Sequence, residues 1–475
     1  MTTTRQTVAV IGAGASGTLL AAQLLRRGEP GSRVVLIERS GAFGPGVAYS
    51  STSDAHRLNV AAAQMAPLPK DPQAFFRWSR GRAAEAISPG DFLPRRLFGE
   101  YLVDLLDDCE RRAAGVVALE RCADEVVALP RSPEDPARRR LVLRSGRQVD
   151  ADQVVLALGN SSPAAPAGLS EEIAASPHFL ADPWAPGALR ASRADQTVLL
   201  LGTGLTMVDV ALELGVSGGP VMYAMSRSGL LPRAHQSRPT PAGPPSLDPA
   251  AAGSLDQLAA MLTSEVAAAD DRGDDWRPLI DSLRPISNEL WGRLDAVERA
   301  RFQREYGRLW SIHRHRMAPQ VGTALQRLIE KGRLRVQAAT LKAAGLRDGR
   351  VDIDVVHPHD DAPARFRVDR IINCTGPLHD PGRIATPLVK DLVERGSVRS
   401  NELGVGFDTD PVGTIIDRRG DAVPGIYAIG PMRDGGLLET TAVPEIGQQA
   451  RALSTEITGN AELRPKRKTR PRIRA

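Results

Sequence analysis

Near its N-terminus the chain reads Gly12-Ala13-Gly14-Ala15-Ser16-Gly17, and this stretch decides the fold. A short apolar run, 8–11, precedes it, and leucines recur on one helical face over 16–27. A second apolar run, 34–37, follows. In G-x-G-x-x-G between a strand and a helix, the first glycine permits the tight turn, the second lets a diphosphate approach, and the third lets the helix pack closely. The stretch therefore predicts a strand–helix–strand unit of a parallel sheet, with a dinucleotide diphosphate at the helix N-terminus.

An acid follows the second strand of this unit. Glu38 lies about 20 residues after Gly17, where a carboxylate accepts hydrogen bonds from a ribose diol. The unit is the first in the chain, which favours FAD over NAD as its ligand. The predicted FAD contacts around this unit are Gly12, Gly14, Ser16, Gly17, Glu38, Arg39 and Gly46.

A relaxed version of the same motif begins at Gly202. Gly202-Thr203-Gly204-Leu205-Thr206-Met207 follows the apolar run 198–201 and opens a helical pattern over 205–214. The next strand, 221–225, is followed by Ser226-Arg227-Ser228 and not by an acid. A cation at this place suits a 2′-phosphate and so favours NADPH, with NADH left open. The predicted nicotinamide-nucleotide contacts here are Gly202, Gly204, Thr206 and Arg227.

Three further strands run into glycine turns, at Gly159, Gly376 and Gly430. We interpret the first two as segments that carry the chain between two nucleotide domains. After the third, Pro444 fits the first turn of a final helix, whose N-terminus could stabilise negative charge on a reduced flavin. We predict further cofactor contacts at Gly376, Gly430, Thr441 and Ala442.

The predicted fold class is α/β, with two Rossmann-like dinucleotide-binding domains for FAD and NAD(P) and a helical insertion. We expect a discontinuous FAD domain, 1–190 and 366–458, around an NAD(P) domain, 191–365. A near-continuous helical stretch inside the second domain, about 250–330, forms the insertion. Residues 459–475 are expected to be a basic, disordered tail.

Composition excludes several function classes. The net charge of +5 is smaller than the seven positive charges of the last twelve residues, so the basic character describes the tail and not a nucleic-acid-binding face. The three cysteines form no C-x-x-C pair, which favours a reducing compartment and removes the usual redox dithiol. No apolar run reaches 18 residues, so we expect no membrane span and a cytoplasmic location. We also find no metal-ligand cluster.

Several segments together resemble the flavin monooxygenase-like FAD/NAD(P)-binding group that includes the HpyO-type urate hydroxylases and the CreE-type aspartate N-hydroxylases. The segments that carry the resemblance are 12–17, 44–49, 58–60, 182–184, 201–209, 314–316 and 439–446. Two positions depart from the pattern. Pro431 stands where many flavoproteins place an aspartate on the ribityl chain, and Leu438 stands where an aromatic residue is expected.

The resemblance implies FAD, NAD(P)H, O2 and a small polar substrate. The candidate catalytic residues are Asn59, for contact near the flavin ring, and Arg316 or His315, for an anionic substrate. Interdomain salt bridges or helix-end contacts are the alternative role of the last two. Residues 313–316 are expected on one helix, where 313 and 316 share a face and 312 and 315 share another, so they cannot all point to one site.

Four functions remain open. The first is hydroxylation of urate to 5-hydroxyisourate. The second is N-hydroxylation of an amino acid such as aspartate, and the third is electron transfer to an acceptor without oxygen insertion. The fourth is a flavin-binding protein without turnover. The sequence leaves the substrate and the oligomeric state undecided.

Overall fold

The computed structural model describes residues 6–82, 86–135, 137–185, 187–216, 218–238, 240, 242–245, 247–358 and 361–459. The basic residues of the expected tail lie outside these ranges. The strands are β1 (Thr7–Ile11), β2 (Arg33–Ile37), β3 (Ala118–Cys122), β4 (Val126–Ala128), β5 (Arg139–Leu143), β6 (Gln148–Ala151), β7 (Gln153–Leu156), β8 (Phe179–Leu180), β9 (Thr197–Leu201), β10 (Val221–Ser226), β11 (Leu334–Ala338), β12 (Thr340–Arg347), β13 (Arg350–Val356), β14 (Pro363–Val368), β15 (Arg370–Asn373), β16 (Thr414–Ile416) and β17 (Ala422–Ala428). The helices are α1 (Ala15–Arg27), α2 (Gly46–Tyr49), α3 (Ala74–Arg80), α4 (Arg95–Ala113), α5 (Glu171–Ala174), α6 (Leu205–Gly215), α7 (Leu255–Asp271), α8 (Trp276–Ser282), α9 (Ser287–Arg293), α10 (Ala296–Glu305), α11 (Gly307–Arg314), α12 (Pro319–Glu330), α13 (Pro387–Glu394) and α14 (Val443–Thr458).

The first sheet has the strand order β16-β17-β7-β1-β2-β3 and is parallel except for β16. β1 lies between β7 and β2, with Ile11 in register with Leu156 and Ile37. Helices α1, α4 and α14 cover one face, and the antiparallel sheet β4-β5-β6 covers the other. Burial on both faces explains why β1 is apolar from Val8 to Ile11 and does not alternate.

The second sheet has the order β11-β10-β9-β15-β8 and is parallel. Helices α6 and α12 pack on one face, and the antiparallel sheet β12-β13-β14 packs on the other. The arrangement repeats that of the first sheet. The prediction of two strand–glycine–helix units in an α/β fold is confirmed.

Sheet membership differs from the expected domain limits at two places. β8 lies before residue 190 and β15 lies after residue 366, yet both belong to the second sheet. Residues 366–374, which precede the turn at Gly376 and have a strand pattern, are divided between β14 and β15, which join different sheets. A run of apolar residues does not show where a chain changes partner strands, so the pattern could not place this break.

The expected long helical stretch is divided into separate helices, α7 to α12. The side chains of Asp275 and Asp295 accept hydrogen bonds from the first turns of α8 and α10 and so start new helices. Helices α7 to α11 form a subdomain, called here the helical insertion, with Trp291 in its small core. In the described part of the chain, no helix combines the length and apolarity that a membrane span requires.

Candidate cofactor-binding and active site

The first glycine loop connects β1 to α1 and requires glycine at two positions. Gly12 has φ +100°, and a Cβ there would lie 2.3 Å from the backbone oxygen of Ala157. A Cβ on Gly17 would lie 1.9 Å from the oxygen of Gly12. The Gly12 N–H donates to Ile37 O at 2.8 Å, which closes the turn against β2. The loop is therefore held tightly against the carboxyl ends of β7 and β2.

Helix α1 begins without a side-chain cap. Its N-cap is Gly14, whose position offers no side-chain acceptor, and its first turn contains no acidic residue. By contrast, Ser254, Asp275 and Asp295 each cap a helix of the insertion through a side-chain oxygen. Free amides at a helix N-terminus attract anions because of their partial positive charge. The start of α1 is thus open to a phosphate.

Two other glycines border this opening. A Cβ on Gly46 would lie 2.8 Å from the Cα of Gly14, and a Cβ on Gly430 would lie 2.4 Å from Ser16 Oγ. The loop before α2 is tied to the first loop by a hydrogen bond from Gly44 N–H to Ala13 O at 2.8 Å. The structure therefore brings Gly14, Ser16, Gly46 and Gly430 together, although they are distant in sequence.

Glu38 lies at the rim of the same opening. Its Oε2 accepts from Ala13 N–H at 2.9 Å, and its Oε1 accepts from the N–H and hydroxyl of Ser40 at 3.0 and 2.9 Å. Arg39, next in the chain, is exposed. These bonds hold the carboxylate beside the glycine loop, where an adenosine ribose is bound in this type of unit.

The start of α14 borders the opening at the first glycine loop on the side of Gly430. Gln449 Oε1 accepts from Gly430 N–H at 3.0 Å, and the Thr440 hydroxyl donates to Gly430 O at 2.8 Å. Thr441 is exposed, and Ala442 is the N-cap of α14. The strand end at Gly430 and the helix start at Ala442 are thus held together beside Ser16.

The second glycine loop has the geometry of the first. Gly202 has φ +107°, and a Cβ there would lie 2.3 Å from Cys374 O, as Gly12 lies against Ala157. Gly202 N–H donates to Met225 O at 2.7 Å. Helix α6 begins at the N-cap Gly204 without a side-chain cap or an acid in its first turn, in which Thr206 is half-buried. Gly376 follows Thr375, whose backbone nitrogen would lie 3.1 Å from a Cβ on Gly202, so Gly376 lies near the second loop.

The two loops differ at the position of the ribose acid. Ile11 pairs with Ile37 and Leu201 pairs with Met225, so the register makes Ser226 the counterpart of Glu38. Arg227 is then the counterpart of Arg39 and is likewise exposed. The second loop carries hydroxyls where the first carries a carboxylate.

The three candidate catalytic residues fall into two groups: Asn59 and Arg316 both lie near His235, whereas His315 lies near Arg314. Asn59 O accepts from the His235 Nε2–H at 3.0 Å. Arg316, 1% exposed, pairs with Asp281 and lies 5.7 Å from the Trp276 ring centroid. Its Nε and Nη1 are buried and have no hydrogen-bond partner among the residues that the structure describes. His315 and Arg316 follow α11, which ends at Arg314, so the expectation that 313–316 lie on one helix is wrong. His313 and Arg316 nevertheless both face Trp276, as the spacing predicts.

His315 faces a different group of residues. Arg314 pairs with Glu439 at 2.8 Å, and Arg284 pairs with Glu445 at 2.5 Å. Burial, with a further contribution from Arg314, lowers the pKa of His315 to about 4. Burial raises the pKa of Glu439, against the opposing effect of Arg314. Two buried carboxylates at the start of α14 are thus neutralised by two arginines of the helical insertion, with a neutral imidazole beside them.

Further bonds attach the helical insertion to this segment. Asn288 exchanges two hydrogen bonds with the backbone of Glu439, at 3.0 and 2.9 Å, and the Trp291 Nε1–H donates to Gly435 O at 2.9 Å. We call residues 435–445 the docking segment. The sequence does not reveal Arg284, Arg314 and Glu439 as a set, because the paired residues are more than 100 positions apart. The segments 314–316 and 439–446 were signals for two of the three residues. Leu438, an expected departure, packs on the core of the insertion.

Residues 66 and 67 pack against the start of α14. Ala66 has φ +33°, a left-handed conformation that is unfavourable for alanine, and a Cβ on Gly447 would lie 2.5 Å from Pro67 O. Local strain of this kind is concentrated at functional sites.

We predict that acid destabilises the protein through two histidines. Burial lowers the pKa of both His235 and His315 from 6.5 to about 4. Each neutral histidine therefore contributes up to about 3 kcal/mol, present above pH 6.5 and lost as the pH falls toward 4. The thermal midpoint should fall between pH 7.5 and 5. Glu439, with its raised pKa, acts in the opposite sense, so the variant His315→Asn isolates the histidine effect and should lose less between these pH values. A midpoint that is flat in the wild-type protein would contradict the prediction.

The residues present fit two dinucleotides. Both glycine loops end in a helix with free amides, and side-chain atoms at Gly46 or Gly430 would fill the space between the segments that border the first loop. The fold and the two loops define a protein with two dinucleotide-binding domains and a helical insertion that docks on the end of the first.

Comparisons with known proteins agree with this class. Residues 9–161 match a family model described as FAD-NAD(P)-binding. No curated protein matches the sequence significantly. Among solved structures, the chain is similar to the ornithine N-hydroxylase of Kutzneria sp. 744, with 16% identity, 96% of this chain and 99% of the other covered, and a TM-score of 0.61. It is also similar to L-lysine 6-monooxygenase from Pseudomonas syringae, with 13% identity, coverage of 96% and 100%, and a TM-score of 0.62. The cadaverine monooxygenase of Erwinia amylovora, in a structure bound to FAD, gives 14% identity, coverage of 99% and 98%, and a TM-score of 0.60. At these identities the likeness establishes the fold over nearly the whole chain.

Proposed function

We propose that this protein is an FAD-dependent, NAD(P)H-using monooxygenase that N-hydroxylates the amine of a small amino acid or diamine with O2. The observation that carries the proposal is the full-length likeness to three monooxygenases named for amines, ornithine, lysine and cadaverine. The two uncapped glycine helix starts support it independently. Urate hydroxylation, the first choice at the sequence level, has no support among these structures.

FAD would be held by the first loop and the docking segment. Gly12, Gly14, Ser16 and Gly17 offer the diphosphate its helix start, and Glu38 and Arg39 lie on the ribose side. We assign the remaining contacts with FAD to Gly46, Gly430, Thr441 and Ala442. FAD, when bound, supplies the electron transfer and oxygen chemistry that amino-acid side chains lack.

NAD(P)H would occupy the second loop, with Gly202, Gly204 and Thr206 at the diphosphate and Arg227 toward the ribose. Gly376 lies beside this loop, so we assign it to the nicotinamide nucleotide. NAD(P)H, when bound, would supply the electrons for the reaction.

The substrate would enter between residues 58–67 and the helical insertion. Two donor atoms of Arg316 have no partner in the described part of the chain, and they suit the carboxylate of an amino acid. His315 is neutral above pH 4 and adds no positive charge that would repel an ammonium group. Asn59 supports this wall through its carbonyl bond to His235.

The test is a substrate panel with purified, FAD-loaded protein and NADPH in air. Ornithine, lysine, cadaverine, aspartate and urate are compared for stimulated NADPH oxidation and for a hydroxylamine product. We expect at least one amine to give hydroxylamine in proportion to the NADPH consumed. Consumption of urate with no hydroxylamine from any amine would reinstate urate hydroxylation. Turnover that needs an artificial acceptor and not O2 would identify a reductase.

A further inference from the structure

A positively charged side chain of the helical insertion, that of Arg308, contacts the second glycine loop. Arg308 lies on α11 of the helical insertion, and its Nη2 donates to Thr203 Oγ1 at 3.0 Å and to Leu230 O. Thr203 is the residue between the two glycines of the loop, and it is 105 positions from Arg308 in the sequence. The insertion thus reaches from the docking segment of the first domain to the nucleotide loop of the second.

Arg308 lies close to Ser226, which corresponds in the second loop to Glu38 of the first. The Thr203 hydroxyl that receives Arg308 is also 2.8 Å from Ser226 Oγ, and Ser226 occupies the register position of Glu38. The first loop therefore places a carboxylate at the ribose, and the second places hydroxyls and a guanidinium there. A guanidinium repels no phosphate, whereas a carboxylate does.

Two donor atoms of Arg308, Nε and Nη1, have no partner among the described residues. Arg308 is half-buried, and its described partners are the oxygens of Thr203 and the Leu230 carbonyl, with no carboxylate among the described residues. All of these bonds use Nη2, so Nε and Nη1 donate to no other described group. A half-buried cation without a counter-ion is costly unless an anion joins it. The guanidinium fork matches a phosphate in a bidentate manner.

We propose that Arg308 recognises the 2′-phosphate of NADPH and makes the second site selective for NADPH over NADH. The inference rests on the proposed function in one respect, namely that the second loop binds a nicotinamide nucleotide. It adds the identity of that nucleotide and assigns its recognition to the helical insertion. Arg227, exposed directly after β10, adds a second positive charge next to Ser226.

A purely structural Arg308 makes a different prediction. If the side chain only fastens α11 to the loop, its loss weakens NADP⁺ and NAD⁺ equally, because both share the diphosphate and ribose. If it binds the 2′-phosphate, its loss weakens NADP⁺ alone. The ratio of the two affinities therefore separates the alternatives.

The experiment measures binding of NADP⁺, NAD⁺, 2′,5′-ADP and 5′-ADP to the FAD-loaded full chain by calorimetry. Arg308→Gln keeps donors for the two carbonyl-type acceptors and removes the charge. We expect it to weaken NADP⁺ and 2′,5′-ADP by about 10- to 100-fold and to change NAD⁺ and 5′-ADP by less than about threefold. Arg304→Gln, which removes an exposed charge from the same insertion, should leave all four unchanged. Equal weakening of both nucleotides by Arg308→Gln would overturn the inference.

A second variant keeps the test decisive if Arg308→Gln is unstable. Ser226→Glu places a carboxylate at the position of Glu38, where it pairs with Arg308 and opposes a phosphate. It should lower NADP⁺ affinity by about tenfold or more and raise that for NAD⁺. Unchanged selectivity would count against Arg308 as well. Failure of the wild-type protein to bind any of the four nucleotides would refute the proposed function itself, a result distinct from a loss of selectivity.

Discussion

Gly14→Ala should yield a folded protein that purifies without flavin. The backbone of Gly14, φ −71°, is one that alanine adopts readily, and the nearest neighbour of the new Cβ would be the Cα of Gly46 at 3.4 Å. The fold therefore tolerates the methyl group. The methyl lies, however, at the uncapped start of α1, where a diphosphate has to approach the backbone. We expect FAD affinity to fall by about 100-fold, measured by quenching of flavin fluorescence on titration of the apoprotein.

Gly204→Ala is the matched control in the second loop. Gly204 has φ −84°, and a Cβ there meets nothing within 4 Å, so the substitution is equally compatible with the fold. This variant should keep its flavin and lose nicotinamide-nucleotide affinity instead. The assignment of the two loops would be refuted if Gly14→Ala kept wild-type flavin affinity, or if Gly204→Ala were the variant that lost flavin.

Arg314→Met should cause the largest loss of stability. Glu439 is 2% exposed and has Arg314 as its ion-pair partner at 2.8 Å. Removing one member of a buried pair leaves a charge without compensation and costs about 3–5 kcal/mol. We expect the thermal midpoint to fall by about 5 °C or more, and proteolysis of the helical insertion to accelerate, since this pair fastens the insertion to the docking segment.

The double variant Arg314→Met/Glu439→Gln provides the control. With both charges removed, no buried ion is left unpaired, so the double variant should recover much of the lost midpoint. The single variant should also recover partly at low pH, because the carboxyl of Glu439, whose pKa burial already raises, is then protonated. If the double variant is no more stable than the single one, the pair is not what fastens the insertion.

The parts of the fold that the sequence predicted are local. Gly12 and Gly17 are five positions apart, and a turn that forbids a Cβ at both leaves a readable pattern. In the second loop the same holds for Gly202 but not for Gly204, where a Cβ meets nothing within 4 Å, and Met207, which is fully buried, replaces the third glycine. Glu38 was predictable for the same reason, since its distance from the loop is set by one helix and one strand.

The N-cap residues of the helical insertion are also local signals in the sequence. Asp275 and Asp295 are typical N-caps, and each divides what hydrophobic periodicity reads as one helical stretch. The boundaries of the two domains are harder to predict from the sequence. β8 has two residues, and β15 follows β14 after a single residue, so neither carries a pattern that names its partner strand.

Within the site, distance along the chain separates what could be foreseen from what could not. The glycines at the two helix starts, the acid at Glu38 and the basic residue at 227 follow from spacing, because backbone geometry within one β-α-β unit is nearly fixed. The pairing of Arg314 with Glu439, and the approach of Arg308 to Thr203, depend on how the helical insertion packs between two domains. Side-chain partners more than 100 positions apart leave no periodicity, so only the tertiary structure decides them.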